Sequence, residues 1–376
     1  MHTPIRIMAA ILFLAVAPPL AAQGFGRPTA TWDHEFSRLG GIAELPDGRV
    51  VIVDNLDGLV FVGAAGGGAI TQLGQAGDGP DEYRGPWSAI RWLGDTVLVY
   101  AASRLVRVTP SGIIAGSLPF VARTLGGVAP PRGVDREGRL YWDRPVIRDP
   151  RSGGLKRQQR YEIVRIRPGR GQAEVVATAS DHAPELHDHR FHPFAQRDAW
   201  VVDPEGTVRI VRARTYAVDA VQGGKVVSAG APLSFQAVRI DAADREAYRH
   251  ARAANAPRIS FGGPSSGGGG VTPARLAQMR EAYPDEIFPA HKPPFIDGGV
   301  HRSPAGQLWV VRSPGMGASH PRRIDVLDAA GRRIRELDVP AGRSLLGLDR
   351  RGIYLVREDA DGLQYLERYA WPAGLR

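Results

Sequence analysis

The chain contains no cysteine, and only three of its 48 basic residues are lysine: Lys156, Lys225 and Lys292. The first absence excludes a disulfide framework, a thiolate metal site and a lipidated N-terminal cysteine together. Long apolar runs are missing too. Outside the first two dozen residues none approaches the roughly 20 needed to span a bilayer as a helix. The fold must therefore be held by an apolar core and by hydrogen-bonded ladders.

What is present begins with a targeting segment. Arg6 supplies a positive start, Ile7 to Val16 an apolar stretch, and Pro18-Pro19-Leu20-Ala21-Ala22 a small-residue cleavage region. Cleavage is expected before Gln23. That reading leaves residues 23–376 as the mature chain, exported to the periplasm or the exterior and not membrane-spanning. Apolar residues make up 43% and charged residues 23% of the chain, enough for a real core. The formal charge of +9 comes from arginines scattered along the whole length, not from the clustered stripe that nucleic-acid binding requires, so no nucleic acid is expected as a partner. With 46 glycines and 30 prolines the chain must turn often.

The turns recur. Six phrases align on a turn glycine: Gly48, Gly94, Gly138, Gly206, Gly306 and Gly352, at spacings of 46, 44, 68, 100 and 46 residues. Each precedes a β-rich run such as Val50-Val51-Ile52-Val53, Val97 to Tyr100, Leu308 to Val311 or Ile353 to Val356. Units of about this length are expected to form four-stranded antiparallel blades, and six of them close a ring without a long free sheet edge. Only three strands follow Pro340, at Leu345–Asp349, Ile353–Arg357 and Leu363–Ala370. The stretch Thr29 to Phe36 is expected to return as the fourth and latch the circle.

Between the first two phrases lies Gly77-x-Gly79-Pro80-x-Glu82-Tyr83. This stretch resembles the linker of NHL-type repeats, and among them bacterial secreted six-bladed β-propeller proteins whose linker runs Gly-x-Gly-Pro-Gly-Glu-Phe. Asp81 and Tyr83 depart from that pattern. The resemblance implies an all-β six-bladed propeller with a short helical excursion late in the chain; it leaves activity open.

Two insertions lengthen the repeats. Asp149 to Gln159 is a polar loop. Residues 241–292 hold two helix-like stretches, the first capped by Asp241 and the second by Thr272 with Pro273 at its first position, around the glycine run 267–270. This insertion is expected to lie on one face as a lid or brace.

Few residues invite a chemical reading. Gly263-Pro264-Ser265-Ser266-Gly267 matches the nucleophile-elbow pattern but sits in a glycine run, lacking the strand and helix that would strain its serine. His187, His189 and His192, with His182, form a histidine-rich stretch that is the weak metal candidate, its spacing matching no defined motif. Asp-Gly pairs at 57–58 and 361–362 read as turns and not as calcium loops. No cofactor is expected. Counting from each turn glycine brings Asp54, Tyr100, Arg144, Arg212, Arg312 and Arg357 to matching ends of six strands. Four converging guanidinium groups, with only Asp54 and Asp143 to answer them, would make an anion site. The tryptophans mostly fall in blade strands and read as packing between blades. The expected function is accordingly a monomeric, non-enzymatic exported binding module for a protein, an anionic small molecule or a glycan. The alternative is a propeller enzyme, a lactonase-like hydrolase or an NHL-type lyase, working at the channel mouth.

Overall fold

The computed structural model describes residues 23–375 except 103, 121–129, 148–156, 169–171, 182–192, 256–270 and 315–321. Residues 1–22, where a targeting segment is expected, the serine motif and His182, His187, His189 and His192 lie outside the described residues. Four-stranded antiparallel sheets follow one another around a ring. From inner to outer strand, blade 1 is Leu39–Glu44, Val50–Asp54, Leu59–Gly63 and Ile70–Gln72, and blade 2 is Pro86–Arg91, Val97–Ala101, Arg104–Val108 and Ile114–Pro119. Blade 3 is Gly133–Val134, Leu140–Ile147, Arg157–Ile166 and Glu174–Ser180. Blade 4 is Ala199–Val202, Val208–Arg212, Ala217–Gln222 and Lys225–Ala229. Blade 5 is Phe295–Arg302, Leu308–Arg312, Arg323–Leu327 and Arg333–Asp338. Blade 6 is Arg343–Asp349, Gly352–Glu358, Gln364–Tyr369 and finally Ala30–Thr31. The chain is a six-bladed β-propeller.

The turn glycines work for a local reason. Gly48, Gly138, Gly206 and Gly306 each donate their amide to the carbonyl three residues earlier and hold φ between 73° and 91°, a left-handed conformation costly for other residues. Gly352 differs. It opens its strand, and a β-carbon there would stand 2.3 Å from the Tyr369 carbonyl oxygen, so closeness of backbones and not turn geometry demands glycine.

The linker motif is structural as well. The Glu82 carboxylate accepts the Gly79 amide at 2.7 Å and the Gln75 side chain at 2.8 Å, and a β-carbon on Gly77 would collide with it. These bonds hold the Glu82 carboxyl below its usual range. Tyr83 then plugs the seam between blades 1 and 2, fully buried, its hydroxyl accepting the Val60 amide at 2.9 Å.

The ring closes where the sequence indicates. Ala30 and Thr31 pair with Arg368 and Glu367, and Phe36 exchanges backbone hydrogen bonds with Gln364. Trp32 anchors this latch: it is buried, stacks on Tyr354 at 6.0 Å and donates its indole N–H to the Ala64 carbonyl of blade 1. One further strand was not foreseen, Gln23–Gly24, which adds in parallel to the outer strand of blade 5.

The late insertion forms two helices, α1 (Ala242–Asn255) and α2 (Pro273–Ala282). Asp241 caps the first through the Asp244 amide at 2.9 Å, and Thr272 the second through the Arg275 amide at 3.2 Å. They are braced rather than loose. Buried Arg249 donates to the Tyr283 carbonyl, Asp285 and Glu246, while buried Lys292 reaches Asp244 at 2.6 Å and the Pro314 carbonyl at 3.0 Å. Tyr248 of α1 packs edge to face on Phe288, and Phe194 lies tilted against both.

Trp32→Ala should cost about 3–5 kcal/mol of unfolding free energy, the range for deleting a buried aromatic. Urea denaturation measures it, and a loss below about 1 kcal/mol would mean that the latch does not hold the ring.

Candidate functional site on the connection face

One face of the ring carries the turns between first and second strands. The opposite face carries the second-to-third-strand turns and the blade-to-blade connections, including the helical brace, which leaves blade 4 and returns to blade 5. Asp54, Tyr100, Arg144, Arg212, Arg312 and Arg357 all lie on second strands, in the halves nearest this connection face.

Their side chains are engaged separately. Asp54 is buried in backbone amides, accepting from Ser37 at 2.7 Å and from Arg38, Leu56 and Asp57. Tyr100 lies in an apolar cluster, edge-on to Phe120 at 5.5 Å, and burial pushes its hydroxyl pKa up. Arg144 pairs with Glu162 of its own blade. Arg212 is held between Asp219 at 2.7 Å and Asp198 at 2.9 Å, while Arg312 stands 4.0 Å from both Asp325 and Glu336. Arg357 lies 4.0 Å over the Tyr365 ring and 3.3 Å from Glu367. Each guanidinium is directed along its own sheet toward acids of the third or fourth strand, or to Asp198 at the blade entrance. The charge surplus expected from counting Asp54 and Asp143 alone is therefore absent, because cross-strand partners come from strands that the turn-glycine alignment never counted.

Other residues of this face carry what the alignment missed. Asp143 collects Arg132 at 3.2 Å, Arg197 at 2.8 Å and the Trp200 indole N–H, joining blades 3 and 4. Arg197 lies 4.4 Å over the Tyr161 ring and 3.8 Å from Asp297 of blade 5. Away from this face, in the half of the inner strand of blade 5 nearest the turn at Gly306, His301 stands opposite Trp309 and is partly accessible. Desolvation, with Arg132 adding to it, lowers its pKa to about 4, so the imidazole is neutral at neutral pH. The alignment does hold a signal for it. Five residues before the six turn glycines stand Ala43, Ala89, Gly133, Val201, His301 and Gly347, and only one of these is polar.

The tryptophans divide. Trp32, Trp142, Trp200 and Trp309 are buried, whereas Trp87 is 55% exposed. It stands at the connection-face end of the inner strand of blade 2. A β-carbon on Gly40 would meet both the Trp87 carbonyl oxygen at 2.3 Å and Asn55 at 3.0 Å, so the glycine lets these inner strands touch. The turn containing Asn55 and Gly58, which lies beside Pro86, also presents Leu56, 59% exposed. Trp87 and Leu56 are thus exposed apolar residues on neighbouring segments of this face. Among the described residues no group of three or more histidines and carboxylates is placed to hold a metal ion, and no helix is long and apolar enough to cross a membrane.

No family model and no curated protein matches the sequence. Solved structures do resemble the fold. A streptogramin B lyase is 13% identical over 91% of this chain and 86% of its own, at a TM-score of 0.41. A Bacteroides fragilis protein thought to be exported is 12% identical over 91% and 94%, at 0.46. A gluconolactonase of Xanthomonas campestris is 12% identical over 91% and 87%, at 0.43. The likeness is one of fold alone.

Two outcomes follow from the ion pairs and the histidine. Arg212→Gln should cost about 2–3 kcal/mol by leaving buried Asp198 short of its partner, and Arg357→Gln, on a half-exposed pair, less than about 1 kcal/mol. Equal losses in urea titrations would contradict this division. Because His301 has a depressed pKa when folded, the unfolded chain binds its proton more readily between pH 6.5 and about 4. Stability should fall as pH drops through that window, by roughly 2 kcal/mol at pH 5 relative to His301→Gln. Parallel stability curves for the two proteins would refute it.

Proposed function

We propose that the protein is an exported, non-enzymatic binding module that takes its partner on the connection face of the propeller. The observation that carries this reading is the paired exposure of Trp87 and Leu56 at the inner edge of that face. Tryptophan so placed is unusual on a monomer surface and is the side chain most enriched at binding hot spots. The charged groups around the face support the same conclusion, since Asp54, Arg144, Arg212 and Arg312 are consumed by internal partners. The N-terminal targeting segment supports export.

The test is recovery of a partner from an envelope extract of the source cell by the immobilised mature chain. Trp87→Ala with Leu56→Ala should reduce recovery at least tenfold while leaving the unfolding midpoint nearly unchanged. Undiminished recovery by the double variant would sink the proposal.

One observation favours the enzymatic alternative. His301 is a neutral imidazole held inside the ring, the state a general base requires. Screening the wild type against lactones and esters, with His301→Gln beside it, separates the readings: turnover lost in the variant would replace the binding module by a hydrolase.

A further inference from the structure

A groove of about 720 Å³ opens at the seam where the ring closes, far in sequence from Trp87 and independent of the reading above. The latch residues Thr31, Trp32, Asp33, His34 and Glu35 form one wall, and Arg357 with Tyr365, Leu366 and Glu367 the other. Its size lies within the range of small-ligand sites.

The polar groups differ in how far they are already satisfied. Glu367 is taken up, bound by Arg343 through both oxygens at 3.1 and 3.2 Å and by Tyr369 at 2.7 Å, with Arg357 at 3.3 Å. Asp33 is exposed, and while its amide donates to the Gly68 carbonyl at 3.0 Å, its carboxylate stands in no hydrogen bond or ion pair among the described residues. The Tyr365 hydroxyl lies 3.0 Å from Glu35 and 3.0 Å from Asp359, yet a phenol has one proton to give, so one of these two carboxylates lacks a donor there. Both carboxylates raise the Tyr365 pKa, to about 12, which keeps that proton in place. One face of Tyr365 is occupied by the Arg357 guanidinium, 4.0 Å from the ring centre, which leaves its hydroxyl as the group offered to the groove. With Glu367 already paired, the lining carboxylates left to a ligand are Asp33 and, where Tyr365 gives its proton to Asp359, Glu35.

We infer that this groove binds a polyhydroxylated ligand bearing a primary ammonium group, an amino sugar. Hydroxyls, each both donor and acceptor, suit walls that alternate Arg357 and Thr31 with carboxylates. The ammonium answers the unpaired Asp33 and the acceptor at Glu35. This reverses the sign expected of an Arg357 site, because Arg357 is engaged by Glu367 and by the ring of Tyr365 in its own blade. One wall is the latch and the other the C-terminal strand, so an occupant bridges the seam and stabilises the closed ring by linkage.

The experiment uses the mature chain and the fully deacetylated glucosamine tetramer, with the N-acetylated tetramer as comparison. Calorimetry should show the glucosamine tetramer binding at least tenfold more tightly, and the unfolding temperature should rise with its concentration. Asp33→Asn with Glu35→Gln, both exposed and changing no backbone group, so that the Asp33 amide keeps its bond to the Gly68 carbonyl, should weaken binding at least tenfold without lowering the unfolding temperature of the free protein. Raising salt from 50 to 500 mM should weaken it as well. Absence of binding at millimolar tetramer, equal or tighter binding of the acetylated form, or unchanged affinity in the double variant would each overturn the assignment. None of these results depends on Trp87.

Discussion

Everything in this molecule depends on one pairing of strands, Ala30–Thr31 against the C-terminal strand of blade 6. A propeller blade cannot stand alone: its inner strands converge, and each sheet face is covered only by the next blade. Six apolar clusters lie between and within the blades, and the one containing Trp32, Phe36, Phe61 and Tyr354 exists only once the two chain ends meet. Glu44 shows how closely that seam is fitted. Its carboxyl, pushed up by burial and by Asp349, accepts from Tyr354 and from the Arg351 amide, so blade 1 leans directly on blade 6. Tyr216 against Asp325 plays the equivalent part between blades 4 and 5.

The abundance of arginine follows the same logic. With no disulfides, polar ties between blades must come from side chains, and a guanidinium can serve two acids on different strands at once. Arg212 does this within blade 4, between Asp198 and Asp219, and the reverse arrangement, one Asp203 holding both Arg209 and Arg302, ties blade 4 to blade 5. A positive formal charge therefore coexists with faces on which most charges are locally cancelled. It is a poor guide to what the protein binds.

The fold was legible because its signals are local. A glycine after a tight turn, a β-branched run, a threonine before a proline at a helix start each act within a few residues. The closing strand was legible by subtraction, from a last blade one strand short. The candidate site was legible only in part. The register brought six residues to the right strands, but it could not see that Asp54 would be wrapped by amides or that Glu162, Asp219 and Glu367 would sit opposite the arginines. Those contacts depend on third strands whose register is set by turns of differing length and by bulges, as between Ile163 and Val164. Trp87 was hidden for another reason: it opens its strand at the connection face, where no neighbouring repeat in the alignment offers a tryptophan to compare.

The latch also decides when this protein can exist. The Thr29 hydroxyl bonds to the carbonyl of Arg368, 339 residues away. A chain made from one end must therefore carry its early segment, with Trp32, unpaired until almost the last strand is present. Forming that contact closes a loop nearly as long as the protein, an entropic cost that no earlier blade shares. Blades can assemble in turn, but the ring forms in one late event, and until then the outer edge of blade 6 stays open to any other strand. Reopening has to begin at the same place. The lifetime of the folded ring is thus set at the short segment from Thr29 to Phe36, however many blades stand behind it.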